Sequence, residues 1–341
     1  MSATMVRPSP TDPDVTRESS LSRAVRAVGV QNLSLIIAIA VLVLAIGSRN
    51  SDFYLTSNLE SIGTAVTISG LLAVVQTVMV IMGGIDLAVG SIAGLTSVTS
   101  AMIFMHAGSA VSFFGALAIG AVCGVISGCL VVFGRMPPMI ATLAGLMAYK
   151  GVAQLVSDGR AQGYTGADPF YIFLSRGSLL AIPILIWLLA LVTGLVHVML
   201  RYTRVGRNIY AVGGNDTAAR LSGININRYI IGVFALVGTV AALSGILITA
   251  RTGSGQPVSG SEDLMFQSIT AAALGGVALR GGKGSMGGTL LAVILLGVLL
   301  NGMSLLGVNP FWQNVAQGLI LAAAVVIQQL RNGERRVGLP K

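Results

Sequence analysis

Charged side chains are scarce: they make up 10% of the 341 residues, against 54% that are hydrophobic. A soluble domain carries roughly a quarter charged residues. With so few, the chain cannot cover a water-facing surface, which excludes a soluble catalytic domain. Histidine is nearly absent. His106 and His197 fall at the edges of separate apolar runs, and with so few acids they supply neither a metal site nor a nucleophilic triad. The two cysteines, Cys123 and Cys129, lie six apart within one apolar run, a spacing that fits neither zinc nor an obvious disulfide. They read as small apolar fillers. Aromatic residues amount to 6% while glycine occurs 44 times, a balance that suits membrane helices packed closely through small residues. No catalytic residue and no metal ligand is expected.

What the chain does have is long apolar runs. Taken as spans of about 20 residues, they lie at 32–47, 61–82, 85–105, 111–133, 138–157, 179–200, 229–250, 266–279, 286–306 and 312–330. The expected fold is an all-α polytopic membrane protein of about ten transmembrane helices. Its permease-sized domain, 31–330, follows a disordered tail, 1–30, and precedes a basic tail, 331–341. No small-x-small cleavage site follows the first run, which therefore reads as a span and not a signal peptide.

An even span count puts both termini on one side. With that side cytoplasmic, the inside segments hold Arg7, Arg17, Arg23, Arg26, Arg135, Arg201, Arg204, Arg207, Arg220, Arg228, Arg280, Lys283, Arg331, Arg335, Arg336 and Lys341. The outside segments hold only Arg49, Arg160, Arg176 and Arg251. This is a positive-inside pattern, and it accounts for the net charge of +9 without nucleic acid. Spans 2–5 and 7–10 can be laid on each other as an inverted repeat, since an odd offset of five reverses their orientation. The Gly83–Gly84 and Gly275–Gly276 pairs do not fall at equivalent places in that offset.

The segment 201–228, RYTRVGRNIYAVGGNDTAARLSGININR, is too polar and too basic to lie within a bilayer. Its centre reads as a short surface helix over 217–222: Asn215 or Asp216 caps its start, and Gly223 supplies the left-handed residue that ends it. Such a helix, held on the water side between two groups of spans, is either a docking element or a solvated loop.

In MGGIDLAVGSIAGL, Met82 to Leu95, spans 2 and 3 meet with almost no polar loop. Gly83 and Gly84 permit a sharp break. Asp86 either caps the next helix or lines a permeation path, because an acid at membrane depth faces protein or water. Lys150, with Gln154 one turn further on, either snorkels to the outer surface or faces the path. Further polar groups recur at helical spacing: Ser69 with Gln76, Gln267 with Thr270, and Gln313 and Asn314 with Gln317. Asn301 stands alone among apolar neighbours. Interhelical hydrogen bonding explains each, and together they make a mildly polar, mostly uncharged interior suited to a neutral solute. Gly282 to Gly287 spells G-x-G-x-x-G, but no strand precedes it and no acid follows about 20 residues on, so it is no dinucleotide fingerprint. Lys283 is followed by Gly284, not Ser or Thr, so it is no Walker A lysine.

Four stretches carry a resemblance: GGIDLAVGSIAGL (Gly83 to Leu95), MPPMIATLAGLMAYKGVAQL (Met136 to Leu155), TRVGRNIYAVGGNDTAARLSGININR (Thr203 to Arg228) and ALGGVALRGGKGSMGGTLLA (Ala273 to Ala292). They resemble the ribose-type permeases of the branched-chain amino acid/ribose permease superfamily, the membrane subunits of bacterial ATP-binding-cassette sugar importers. The resemblance implies the larger importer architecture of the cobalamin permeases, in the bacterial inner membrane. It implies a homodimer or a paralogous heterodimer, two cytoplasmic ATPase domains that use ATP and Mg, and a periplasmic binding protein. The chain itself would bind no cofactor and catalyse nothing. Asn215, Asp216, Ala219, Arg220 and Gly223 match the helix that seats in the ATPase. The polar residues Gln76, Asp86, Lys150, Gln267, Thr270, Asn301, Gln313 and Gln317 are the candidates for the path.

The expected solute is a monosaccharide of the ribose, xylose, arabinose or galactose type. Alternatives are nucleosides, a furanosyl signal molecule or branched-chain amino acids. A proton-coupled carrier built on Asp86 and Lys150 and an intramembrane enzyme are the readings from other classes; the scattered amides supply no catalytic constellation for the second.

Overall fold

The computed structural model describes residues 30–257 and 261–331. The expected tails, 1–30 and 331–341, lie outside the described residues except for Val30 and Arg331. The chain is mostly helical: α1 Val30–Gly47, α2 Thr56–Ile81, α3 Val89–Val132, α4 Pro138–Ser157, α5 Pro169–Arg176, α6 Ile184–Tyr202, α7 Arg204–Gly214, α8 Asp216–Leu221, α9 Ile226–Thr252, α10 Ser261–Leu274, α11 Met286–Leu305 and α12 Pro310–Arg331. A two-residue hairpin, β1 Ser178–Leu179 with β2 Ile182–Pro183, precedes α6. Among the described residues, seven helices are long and apolar enough to cross a membrane: α2, α3, α4, α6, α9, α11 and α12.

Helix α3 runs through two of the expected spans. At 1.5 Å per residue its 44 residues would reach about 66 Å, about twice the ~30 Å apolar core of a bilayer. Gly108 interrupts it, with φ 79° and ψ 175°. That backbone conformation lies outside the helical region and is open to glycine alone among ordinary residues. The two arms fold back on each other there, and Ser112 Oγ donates to the Ser100 carbonyl across the break at 2.5 Å.

Other boundaries move for local reasons. Span 6 begins at Ile184 and not 179, because the turn of the small hairpin carries Leu180 and Ala181 at positive φ. Span 8 lies at 261–274, five residues earlier than expected, since Gly275 and Gly276 stop the helix and the following residues turn. The segments 158–178 and 251–265 are only partly loop. Asp168 caps α5 by accepting from the Phe170 and Tyr171 N–H groups, and the extended residues Gln162 and Gly255 pair across the two segments.

Helix α2 is the centre of the bundle and is mostly buried, whereas α12 lies on the periphery and is mostly exposed. Packing relies on small residues. Gly120 and Gly124 of α3 face the Phe234–Gly238 backbone of α9 so closely that a β-carbon at either would overlap a carbonyl oxygen. Hydroxyl pairs lock the same elements. Ser97 Oγ and Thr249 Oγ1 lie 2.8 Å apart between α3 and α9, and Thr77 and Thr289 lie 2.7 Å apart between α2 and α11.

Candidate functional site

The loop between α6 and α9 contains more structure than its sequence suggests. It opens with the eleven-residue helix α7, where Thr203 Oγ1 caps the Gly206 N–H at 3.2 Å. Gly206, Ile209 and Val212 of α7 are buried, while Arg204 and Arg207 face outward. Asn215 then caps α8, its Oδ1 accepting from the Ala218 N–H at 2.9 Å. The helix spans 216–221, one residue earlier than expected, and Gly223 (φ 81°) follows it. Ala219 is buried against the bundle, whereas Asp216 and Arg220 are exposed. Leu221, which sequence reasoning passed over, is 85% exposed. An apolar side chain at the tip of a polar helix was its signal.

Helix α8 is not a free flap. The two glycines before it, Gly213 and Gly214, lie against two other glycine segments, Gly83–Gly84 after α2 and the Gly281–Gly282 turn after α10. A β-carbon at Gly213 would overlap the Ile81 carbonyl oxygen and crowd the Gly282 nitrogen. The Gly282 N–H donates to that same Ile81 carbonyl at 2.8 Å. Tyr210 ties α7 to the turn by donating from Oη to the Gly284 carbonyl at 2.9 Å. Burial raises the Tyr210 phenol above its usual pKa, opposed by the nearby Arg201 charge, so it remains a donor at neutral pH. The G-x-G-x-x-G run thus serves close backbone packing. Beside the junction, a cavity of about 360 Å³ is lined by Gly83, Pro138, Gly213, Asn215, Asp216 and Arg280 among others. The Gly83–Gly84 break and three segments assigned by charge to one side of the membrane, at Pro138, at Gly213 to Asp216 and at Arg280, therefore meet at one end of the bundle.

The break after α2 is held from within. The Gln76 amide, turned so that Nε2 donates to the Asp86 carbonyl and Oε1 accepts from the Asp86 N–H, makes both bonds at 3.2 Å. Asp86 Oδ1 accepts from the Ala88 N–H at 2.7 Å, two residues on, which closes the turn before α3 without capping it, since Ala88 is the N-cap residue; the buried Oδ2 has no hydrogen-bond partner among the described residues. Ile85 accepts at its carbonyl from Thr142 Oγ1 of α4 at 3.3 Å.

The other candidates are dispersed. Lys150 does not snorkel alone; it pairs with Glu262 at the start of α10, 2.9 Å away. Asn301 has a partner, Asn58 of α2, with reciprocal amide bonds of 2.9 and 3.2 Å. Gln313 Nε2 donates to Ser304 Oγ at 3.0 Å. Gln267 is half-buried beside a cavity lined also by Arg251 and Leu264. Thr270 and Gln317 come together in a cavity of about 330 Å³ between α10 and α12, joined there by Glu262, Asp263, Phe266 and Asn314. The first three of these last residues escaped sequence reasoning because they lay in an assigned loop or carried no polarity. The Asn58–Asn301 pair predicts a measurable coupling. Either single change to Leu should lower stability by about 1 kcal/mol, and the double change should cost less than the sum. Thermal unfolding in detergent checks it; strict additivity would contradict the pairing.

The family model described as "Branched-chain amino acid transport system / permease component" matches residues 58–325. The chain belongs to that family. It is 36% identical to Ribose import permease protein RbsC of Escherichia coli (strain K12), over 86% of this chain and 92% of that protein. It is 35% identical to the protein of the same name from Bacillus subtilis (strain 168), covering 89% of this chain and 94% of the other. L-arabinose transport system permease protein AraH of Escherichia coli (strain K12) is 33% identical, with 89% and 92% covered. No solved structure matches. The matched region takes in α2 to α12 almost entirely, and with it the 201–228 loop and the glycine junction.

Proposed function

We propose that this chain is the membrane subunit of an ATP-driven importer for a monosaccharide, an aldopentose by preference. The observation that carries this reading is α8, an exposed helix fixed by its preceding glycines to the break between α2 and α3. In a family of transport-system permease components, a partner's push on α8 would reach the bundle through that junction. The relatives named for ribose and arabinose support the sugar class. ATP and Mg would be handled by two separate ATPase chains, one for each copy of α8 in a homodimer or paralogous heterodimer. A periplasmic binding protein would deliver the solute to the opposite end.

The topology follows the charge pattern, with both termini and α8 in the cytoplasm and the chain in the bacterial inner membrane. The ten-span count of the larger importer architecture is reached by adding α1, the second arm of α3 and the short α10 to the seven long helices. The inverted repeat of spans 2–5 and 7–10 belongs to the same reading.

Radiolabelled D-ribose uptake tests the proposal in cells that lack their own pentose importers. Cells carrying the chain with its ATPase and binding protein should accumulate D-ribose, and omission of either partner should reduce uptake to background. Uptake by this chain alone that an uncoupler abolishes would replace the proposal with a proton-coupled carrier centred on Asp86 and Lys150.

A further inference from the structure

The cavity between α10 and α12 has an uncommon feature. Gln317 is nine-tenths buried at its wall and makes no hydrogen bond to any described residue. A primary amide offers two donors and two acceptor positions, and the Gln317 amide atoms are not among the fully enclosed unpaired atoms, so they reach the open space of the cavity. Three further facts bear on what would satisfy it. Thr270 Oγ1, in the cavity wall, donates to the Phe266 carbonyl at 2.7 Å, which leaves it only acceptor capacity. Asn314 adds a second amide at the wall, and Glu262 and Asp263 add acceptors at the rim. Phe266, about half exposed, supplies a flat apolar surface.

Acceptors outnumber donors in the lining: the Asn314 and Gln317 amides are its side-chain donors, while the amide oxygens, Thr270 and the two acids accept, an arrangement met by hydroxyl groups, which donate as well as accept. The lining contains no cation: Lys150 reaches Glu262 from α4 and is not part of the wall. A carboxylate or phosphate would meet Asp263, and Glu262 already paired with Lys150, with no cation in the lining to bind it, which disfavours a sugar phosphate. A neutral polyol with one apolar ring face fits, with its C–H face on Phe266 and its hydroxyls on the amides. The cavity volume falls in the range of small-molecule sites, about 300–1,000 Å³.

We propose that this cavity is a solute subsite for an uncharged monosaccharide, with Gln317 as its specificity-determining residue. The inference rests on the permease reading above.

The test compares uptake of D-ribose and 2-deoxy-D-ribose into proteoliposomes that contain the chain and its ATPase, with binding protein supplied in saturating amount. With the binding protein unchanged, any change in the ratio of the two rates arises in the permease. Gln317→Leu should slow D-ribose about tenfold and the deoxy sugar by less than about threefold. Asn314→Leu, at an exposed position where folding does not depend on the side chain, should shift the ratio in the same direction. Purification of the ATPase with each variant in wild-type yield separates this effect from misfolding. If wild-type vesicles discriminate and both variants keep the wild-type ratio, the subsite is refuted while the permease reading stands. If wild-type vesicles with both partners take up neither sugar, the permease reading fails and the subsite falls with it.

Discussion

A Gly213→Ala variant should fail to transport, with uptake reduced by more than about tenfold, although one methyl group separates it from the wild type. The added β-carbon would overlap the Ile81 carbonyl oxygen and press on the Gly282 nitrogen. Both are backbone atoms already bonded to each other, so neither can swing aside as a side-chain tip would. Overpacking costs typically 1–3 kcal/mol, and more where neighbours cannot relax; a loss of about 3 kcal/mol is expected here. The adjacent Gly214 is the control, because a β-carbon there meets nothing within 4 Å. Gly214→Ala should stay within about 0.5 kcal/mol of the wild type and transport normally. Uptake and melting temperature of the two variants, measured side by side, check the argument. Equal behaviour of the pair would remove the junction from the mechanism.

The second large effect is expected at α8 itself. Asp216→Arg combined with Arg220→Glu inverts the charge of two exposed residues, and Leu221→Asp places a carboxylate where the helix presents its apolar tip. Substitutions at exposed positions rarely cost more than about 0.5 kcal/mol of stability. Asp216 contributes slightly more, since a carboxylate in the first turn is favoured by roughly 0.3–1 kcal/mol. The membrane subunit should therefore remain folded. Binding of the ATPase should suffer far more: loss of a central contact costs about 2 kcal/mol or more, equivalent to about 30-fold in affinity. Co-purification of the ATPase should fall to background for Leu221→Asp and for the charge-inverted pair. Unchanged recovery would return α8 to the status of a solvated loop.

How far the sequence foretold this arrangement depends on distance along the chain. The Asn215 cap and the Gly223 stop are local chemistry, and both lie where residue type placed them, to within one residue. Apolar runs located the long helices for the same reason. The Gly108 break was invisible because an isolated glycine within an apolar run carries no polarity signal. Helix α7 was missed because its buried face, Gly206, Ile209 and Val212, is too sparse to stand out among arginines. Glu262 and Asp263 were read as loop because Gly, Ser and Pro precede them, yet acids suit the first turn of a helix such as α10. The glycine junction unites residues near 83, 213 and 281, whose convergence is a tertiary fact that no spacing in the sequence expresses. The pairing of Asn301 with Asn58 belongs to the same class.

Cross-linking from position 221 tests the central claim most directly. A Leu221→Cys variant is purified with its ATPase, and a Tyr164→Cys variant, exposed at the opposite end of the bundle, serves as the comparison. Cys123 is buried and Cys129 partly so, which limits the background. A short thiol-reactive linker should join the ATPase to position 221 and not to position 164. An ATPase adduct at position 164, or none at 221 in a complex that still transports, would contradict the account.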